Sequence, residues 1–248
     1  MHRPAGARKV ALVTGGAVRV GRALSLGLAE AGYDVAVHYH SSAAAAREVE
    51  RRITELGRRA VLIEGDLGDP IGVQAVARGV KEGFGRLDLL VNSASSFEEA
   101  DLMDVDAEQW DRVMAINLRG PFLLVRETAP LLRACGGTVV NMVDVLGLEP
   151  WTKHPHHSVS KAALLHLTKI LARVLAPEVR VNAVAPGTVL PPDGWGADFE
   201  ERERALTPLR RIGSPEDVLR AVLFLAASPF ITGELIVVDG GRRLGPDG

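Results

Sequence analysis

Seven short apolar runs rich in valine recur along the chain, and longer amphipathic stretches separate most of them. The runs are hydrophobic throughout rather than at every second residue, which is typical of strands covered on both faces of a parallel sheet. The runs are KVALVTG, YDVAVHYH, RAVLIEGD, LDLLVNSA, GGTVVNMVD, EVRVNAVAPG and GELIVVDGG. This alternation predicts an α/β fold: a single, doubly wound domain over residues 1–248 around a seven-stranded parallel sheet.

Glycines mark the ends of two predicted helices, because glycine is favoured just beyond a helix end. The predicted helices cover residues 22–31, 43–56, 71–81, 106–134, 158–175 and 215–227. The one long irregular segment is 188–207, after the sixth strand. Insertions at the carboxyl end of a strand are common places for lids, so we predict a substrate lid there.

Composition excludes several classes of partner. With 47% hydrophobic residues and a net charge of −2, the chain has an ample core but no basic field for nucleic acid or a membrane surface. Its single cysteine, Cys135, excludes an internal disulfide and fits a reducing compartment. There is no long apolar segment, so we expect a cytoplasmic protein.

The stretch TGGAVRVGRAL follows the first strand and opens a helix, so its N–H groups and the helix dipole can face a pyrophosphate. This is the arrangement of a Rossmann dinucleotide site. No acidic residue ends the second strand, and HYHSS there favours NADPH over NADH. The alternative is that Gly15, Gly16 and Gly21 only make a tight turn.

The TGxxxxxG motif, Asp66, the NSA motif at 92–94, Asn117, Lys161 and the PG motif at 186–187 together resemble the short-chain dehydrogenase/reductase family over essentially the whole chain. Three departures are similar to pteridine reductases: Arg19 replaces a glycine, NSASSF replaces NNAG, and Asp144 replaces a serine. The resemblance implies an NADPH-dependent reductase that forms homotetramers through helices 106–134 and 158–175.

The same resemblance implies the roles of individual residues. The cofactor would contact Gly15, Arg19, Val20 and Gly21 at the pyrophosphate, Tyr39, His40 and Ser41 at the 2′-phosphate, and Asp66 and Leu67 at the adenine. Its nicotinamide half would contact Asn92, Ser93, Ala94, Lys161, Pro186, Gly187 and Thr188. A pterin ring would be framed by Arg19, Ser95, Phe97 and Asp144.

The catalytic tyrosine of the family is missing. His157 stands one helical turn before Lys161, and neither of the two tyrosines lies nearby in the sequence. A histidine can exchange protons at neutral pH, but Lys161 and an oxidised nicotinamide both disfavour imidazolium. We therefore predict that Asp144 is the main proton donor, that His157 supports it, and that Asn117 organises a water chain behind Lys161.

Three functions remain open from the sequence. A protonated carboxyl at Asp144 could pass a proton to a ring nitrogen as hydride reaches the neighbouring carbon, which favours reduction of a pterin or dihydrofolate. The alternatives are a carbonyl or 3-oxoacyl reductase and an inactive NADPH-binding protein. We predict no metal site, because His154, His156 and His157 have no complementary ligand at suitable spacing.

Overall fold

The computed structural model describes residues 8–190 and 196–245, which form one parallel sheet between two layers of helices. Its strands are β1 (Val10–Val13), β2 (Asp34–Tyr39), β3 (Ala60–Glu64), β4 (Leu89–Asn92), β5 (Thr138–Met142), β6 (Arg180–Pro186) and β7 (Leu235–Val238). They lie in the order β3-β2-β1-β4-β5-β6-β7, and every neighbouring pair is parallel. The predicted doubly wound, seven-stranded sheet is confirmed.

The helices connect successive strands across the two faces of the sheet. They are α1 (Arg19–Glu30), α2 (Ala43–Glu55), α3 (Pro70–Phe84), α4 (Ala107–Met114), α5 (Gly120–Cys135), α6 (Pro155–Leu175), α7 (Ala197–Leu206) and α8 (Pro215–Ala227). One core cluster joins α1, α2 and α8 to the sheet, and the other joins α3, α5 and α6 to its opposite face. Burial on both faces explains why the strands are continuously apolar.

Two predicted helix boundaries were wrong. The single helix expected over 106–134 is divided by a π-helical turn, Ala115–Arg119, between α4 and α5. Such turns insert one extra residue and often lie at functional sites. The helix expected from residue 158 begins at Pro155, because proline fits the first turn of a helix. His156 and His157 therefore lie in the first turn of α6 rather than in a preceding loop.

The predicted lid, 188–207, contains a helix that the sequence pattern does not indicate. Helix α7 occupies its second half, and residues 191–195 lie outside the described residues. The run ADFEERERAL is charged at most positions and has no clear apolar stripe, so periodicity gives no helical signal there. That this segment acts as a lid stays a prediction.

The order of the strands places the functional crevice. Strands β1 and β4 are neighbours although they are not consecutive, so the chain winds outward from them in both directions. In open α/β sheets, ligands bind outside the carboxyl ends of the strands at this point. Among the described helices, none is long and apolar enough to cross a membrane.

Candidate active site

The turn after β1 has the close packing that a dinucleotide cradle needs. Gly15 has a φ of 61°, and a Cβ added at Gly21 would overlap the main-chain oxygen of Gly15. The residue before α1, Val18, offers no side-chain cap to the first N–H groups of the helix. These uncapped groups and the helix dipole suit a pyrophosphate, so the residues present fit the cofactor.

Arg19 occupies the first position of α1 with a φ of 50°, a left-handed conformation that costs a non-glycine residue about 1 kcal/mol or more. Its exposed guanidinium reaches across the crevice, where Nη2 donates to the main-chain oxygen of Leu190 at 2.9 Å. The side chain therefore joins the dinucleotide turn to the segment after β6. This strained residue spans the space between the predicted pyrophosphate and substrate positions.

Two residues to which the sequence analysis gave no individual role, His38 and Thr14, hold this turn in place. His38 is buried in β2; its Nδ1 accepts the Gly15 N–H at 3.0 Å, and its Nε2 lies 3.0 Å from the Gly65 oxygen. Burial lowers the pKa of His38, in agreement with a neutral ring that accepts at Nδ1 and donates at Nε2. A histidine inside an otherwise apolar strand was the available signal.

Thr14 is the second of these residues. Its hydroxyl oxygen accepts the N–H groups of Ser93 and Ala94 at 2.8 and 3.0 Å, so it holds the NSA motif against the turn. Asn92 points elsewhere, because its Nδ2 donates to Asn141 Oδ1 at 2.8 Å. Asn92 therefore ties β4 to β5, while Ser93 and Ala94 border the crevice.

The residues predicted for the adenosine half lie around the carboxyl ends of β2 and β3. They are Tyr39, His40, Ser41, Asp66 and Leu67, of which only Leu67 is buried. The Tyr39 hydroxyl donates to Glu64 Oε2 at 3.4 Å, so a carboxylate stands near the expected 2′-phosphate position. Glu64 was missed, because an acidic neighbour of the 2′-phosphate was sought only at the end of the second strand.

At the nicotinamide end, Pro186 is the last residue of β6, and Gly187 and Thr188 follow it. A Cβ added at Gly187 would lie 2.8 Å from the Cβ of Asp239, so only glycine lets this turn approach the segment after β7. The Thr188 hydroxyl donates to Glu203 Oε2 of α7 at 2.9 Å. The predicted carboxamide contact is thus anchored by the charged helix of the 188–207 segment.

Lys161 is buried beside the crevice, and its Nζ donates to the main-chain oxygen of Met142 at 2.9 Å. Burial lowers the pKa of Lys161 to about 8, and the nearby Asp144 carboxylate opposes this shift. The ammonium form is therefore costly in the folded protein, so its proton is easily lost.

This shift makes stability depend on pH in the cofactor-free protein. Between pH 8 and 10.5 the unfolded chain keeps the Lys161 proton and the folded chain loses it, so the free energy of unfolding should rise with pH. Over this pH range, we expect the free energy of unfolding of Lys161→Met to rise by about 3 kcal/mol less than that of wild type. Urea unfolding at several pH values measures it. Lys169→Met, at an exposed lysine of α6, should follow wild type; parallel curves for all three proteins would contradict the expectation.

His157 has a defined orientation. Its Nδ1 lies 3.0 Å from the main-chain oxygen of Ser96, which can only accept, so Nδ1 carries a hydrogen. Its Nε2 has no hydrogen-bond partner among the described residues and lies 3.6 Å from Asp144 Oδ2. The unprotonated nitrogen of a neutral ring would therefore face a carboxylate oxygen.

The Asp144 carboxylate is held with its Oδ2 toward Nε2 of His157. Its Oδ1 accepts the Leu146 N–H at 3.0 Å, which leaves Oδ2 toward His157. The residue has a φ of 155° and a ψ of 150°, a region used almost only by glycine, and such strain concentrates at functional sites. A hydrogen carried by either atom would therefore lie between Oδ2 and Nε2.

Asn117, in the π-helical turn, fixes the loop that orients His157. Its Oδ1 accepts the Ser96 N–H at 2.7 Å and the Ser95 hydroxyl at 3.1 Å. Its Nδ2 donates to the Ser96 oxygen at 2.9 Å and to Ser160 Oγ at 3.0 Å. The amide is thereby saturated, so its side chain positions the loop; the predicted water chain stays a prediction. The Ser95 hydroxyl is turned toward Asn117.

Phe97 lies at the edge of the site and is 51% exposed. One face of its ring stacks on His154 at 4.0 Å between centroids, and the ring meets His157 edge-on at 4.8 Å. The expected contact of Phe97 with a flat substrate thus has a partly open ring available to it. Among the described residues, no group of histidine, cysteine and acidic side chains is arranged to hold a metal ion.

Comparison with known proteins identifies the family. Residues 16–243 match the family model described as enoyl-(acyl carrier protein) reductase. The 3-oxoacyl-acyl-carrier-protein reductase FabG of Staphylococcus aureus is 37% identical over 242 residues, which cover 95% of this chain and 98% of that protein. The L-rhamnose 1-dehydrogenase (NAD(P)(+)) of Sphingomonas sp. is 33% identical over 94% of this chain and 95% of its own length.

A solved structure agrees with these relatives. The acetoin dehydrogenase YohF of Salmonella typhimurium has a TM-score of 0.89 and 31% identity, over 97% of this chain and 98% of that one. The names of these three proteins do not support the more specific resemblance to pteridine reductases. The matches do extend over nearly the whole chain, and the chain is therefore an oxidoreductase of the short-chain dehydrogenase/reductase family.

Proposed function

We propose that the chain is an NADPH-dependent reductase in which Asp144 and His157 together replace the missing tyrosine as proton donor. The observation that carries the proposal is the 3.6 Å approach of Asp144 Oδ2 to His157 Nε2, with the opposite ring nitrogen held by Ser96. Two atoms arranged in this way can share one proton. That proton lies where the substrate atom that gains charge can receive it.

The residues of the turn after β1 would hold the pyrophosphate, and Thr188 and Lys161 would hold the nicotinamide half. When bound, the reduced nicotinamide supplies a hydride. Preference for the 2′-phosphate rests on His40 and Ser41, which are exposed beside the end of β2, and Glu64 works against it. We therefore propose NADPH over NADH, although the Glu64 carboxylate would repel the 2′-phosphate.

The proton follows a short path. As hydride reaches the substrate carbon, the neighbouring oxygen or nitrogen takes the proton from the pair, and the reduced bond gains two hydrogens in total. Asp144 has a 32% exposed side chain, so solvent can restore the proton. Lys161 lies close enough for its charge to act on Asp144, and its ammonium form stabilises the pair after the proton has left.

We propose a carbonyl group as the substrate, either a 3-oxoacyl thioester or a small hydroxyketone. This choice is supported by the relatives that are named for 3-oxoacyl and acetoin chemistry. A specific observation favours a second candidate, a pterin or dihydrofolate. Asp144 can pair with an amino-pyrimidine edge, and the half-exposed ring of Phe97 can stack on a flat heteroaromatic.

A panel of substrates tests both candidates. NADPH oxidation would be followed with a 3-oxoacyl thioester, acetoin, dihydrobiopterin, dihydromonapterin and dihydrofolate, and NADPH binding would be measured in parallel. We expect turnover with a carbonyl compound; turnover with pterins alone would support the second candidate. Tight NADPH binding without turnover of any of them would contradict both and indicate a binding protein without catalysis.

The surface formed by α4, α5 and α6 bears on the assembly of the protein. An open groove of about 1220 Å³ runs along α4, α5 and α6. Its lining includes apolar residues such as Met114, Phe122 and Ile170, several charged side chains, and His40 and Asp66 of the predicted adenosine site. Phe122 of α5 and Ile170 of α6 are exposed, and exposed apolar side chains on neighbouring helices suit a subunit interface, so we propose a homotetramer in the cytoplasm. Light scattering should give four times the mass of the chain; a monomer at micromolar concentration would contradict it.

A further inference from the structure

Glu203 is a buried charge on a helix that is otherwise mostly exposed. It is 9% exposed, whereas its neighbours in α7 are largely exposed, and its main-chain oxygen accepts the Thr207 hydroxyl at 2.7 Å. Its carboxylate contacts Arg242, whose Nε lies 3.3 Å from Oε2 and whose Nη2 lies 3.4 Å from Oε1. A buried carboxylate needs such partners, and this one also takes the hydroxyl hydrogen of Thr188.

The bond between Glu203 and Thr188 settles which way the hydroxyl points. The main chain of Thr188 is fixed, because its oxygen accepts the Gly213 N–H at 3.0 Å. A carboxylate can only accept, so the single hydroxyl hydrogen of Thr188 is directed to Oε2 at 2.9 Å. The remaining lone pairs of the hydroxyl can then only accept a hydrogen bond from a ligand.

A nicotinamide carboxamide offers both an N–H donor and a carbonyl acceptor. We propose that Glu203 is a positioning residue that makes Thr188 an acceptor for the carboxamide N–H, and that Arg242 holds Glu203 in place. The inference rests on the proposed function, because it needs a nicotinamide cofactor. Through Glu203 and Arg242, the charged helix α7 and the turn after β7 would help to bind the nicotinamide ring.

Glu203→Gln tests the inference with almost no change in shape. With the amide oxygen at the position of Oε1, where it accepts from Arg242 Nη2, the NH₂ group takes the place of Oε2 and faces Thr188. Thr188 then accepts from this group and turns its own hydrogen toward the carboxamide N–H, so two donors meet. We expect the Kd of NADPH to rise about tenfold.

A cofactor analogue makes the test selective. The reduced 3-acetylpyridine analogue of NADPH has an acetyl group in place of the carboxamide and so has a carbonyl but no N–H. We expect its Kd to change by less than about twofold in Glu203→Gln, since an outward-facing hydrogen suits a carbonyl. Thr188→Val should likewise raise the Kd of NADPH and leave the Kd of the analogue nearly unchanged. In the double variant, the Kd of NADPH should rise no more than in the weaker-binding single variant.

The matched control is Glu200→Gln, which removes an exposed carboxylate one turn earlier in α7, where it pairs with Arg204. It should bind both cofactors like wild type. Equal losses for NADPH and the analogue in Glu203→Gln, or no loss for either, would overturn the inference while leaving the proposed function intact. Failure of wild type to bind NADPH at all would overturn the proposed function and the inference with it.

Discussion

Replacing Asp144 with asparagine should lower the rate of hydride transfer about 10²- to 10⁴-fold, the usual contribution of a positioned acid. The asparagine oxygen can still accept the Leu146 N–H, so the loop should keep its shape. Its NH₂ group would then donate to His157 Nε2 without being able to release a proton. Single-turnover NADPH oxidation with the best substrate of the panel measures the rate.

The control for this variant is Asp101→Asn, which neutralises an exposed carboxylate in the loop that follows Phe97. It should react like wild type, and the Kd of NADPH should change little in either protein. A rate for Asp144→Asn within about twofold of wild type would mean that the proton comes from another group.

Gly21→Ala should weaken NADPH binding by about 100-fold, because the new Cβ would overlap the main-chain oxygen of Gly15. The turn would have to move to relieve the overlap, and forced shifts of packed atoms cost up to about 3 kcal/mol. A fluorescence titration gives the Kd. The control, Gly57→Ala, should cost stability because Gly57 has a φ of 72°. That control should bind NADPH like wild type; normal binding by Gly21→Ala would contradict the proposed position of the pyrophosphate.

Much of the fold could be predicted because both faces of the sheet are covered. Continuous apolar runs identified all seven strands, and their separation by helices gave the parallel arrangement. Details that depend on tertiary contacts were missed. The π-helical turn around Asn117 is stabilised by bonds to Ser96 and Ser160, which no local pattern shows.

The site was predictable where its residues share a motif. His157 and Lys161 lie one turn apart on α6, so their spacing alone placed them together. The contact between Asp144 and His157 joins a strand end to a helix start, and the contact between Thr188 and Glu203 joins β6 to α7. The spacing of residues along the chain does not predict contacts between separate elements.

The substrate was hardest to predict, for a physical reason. Identity of 37% over nearly the whole length shows the family and does not identify the substrate. Substrate choice depends on a few side chains, predicted here to include Arg19, Phe97 and Asp144, and it can change while the fold remains. These three residues suggested a pterin, whereas the relatives named above favour a carbonyl compound.

The central claim is that Asp144 and His157 act as one proton donor. Its most direct test is the single-turnover rate of hydride transfer for Asp144→Asn, His157→Phe and the double variant. Phenylalanine keeps a ring against Phe97, and the Ser96 oxygen keeps its bond from Asn117. We expect the double variant to be no slower than the slower single variant, because residues that act as a unit are not additive. If the rate loss of the double variant equals the product of the two single losses, the two side chains act independently, and that result would contradict the account.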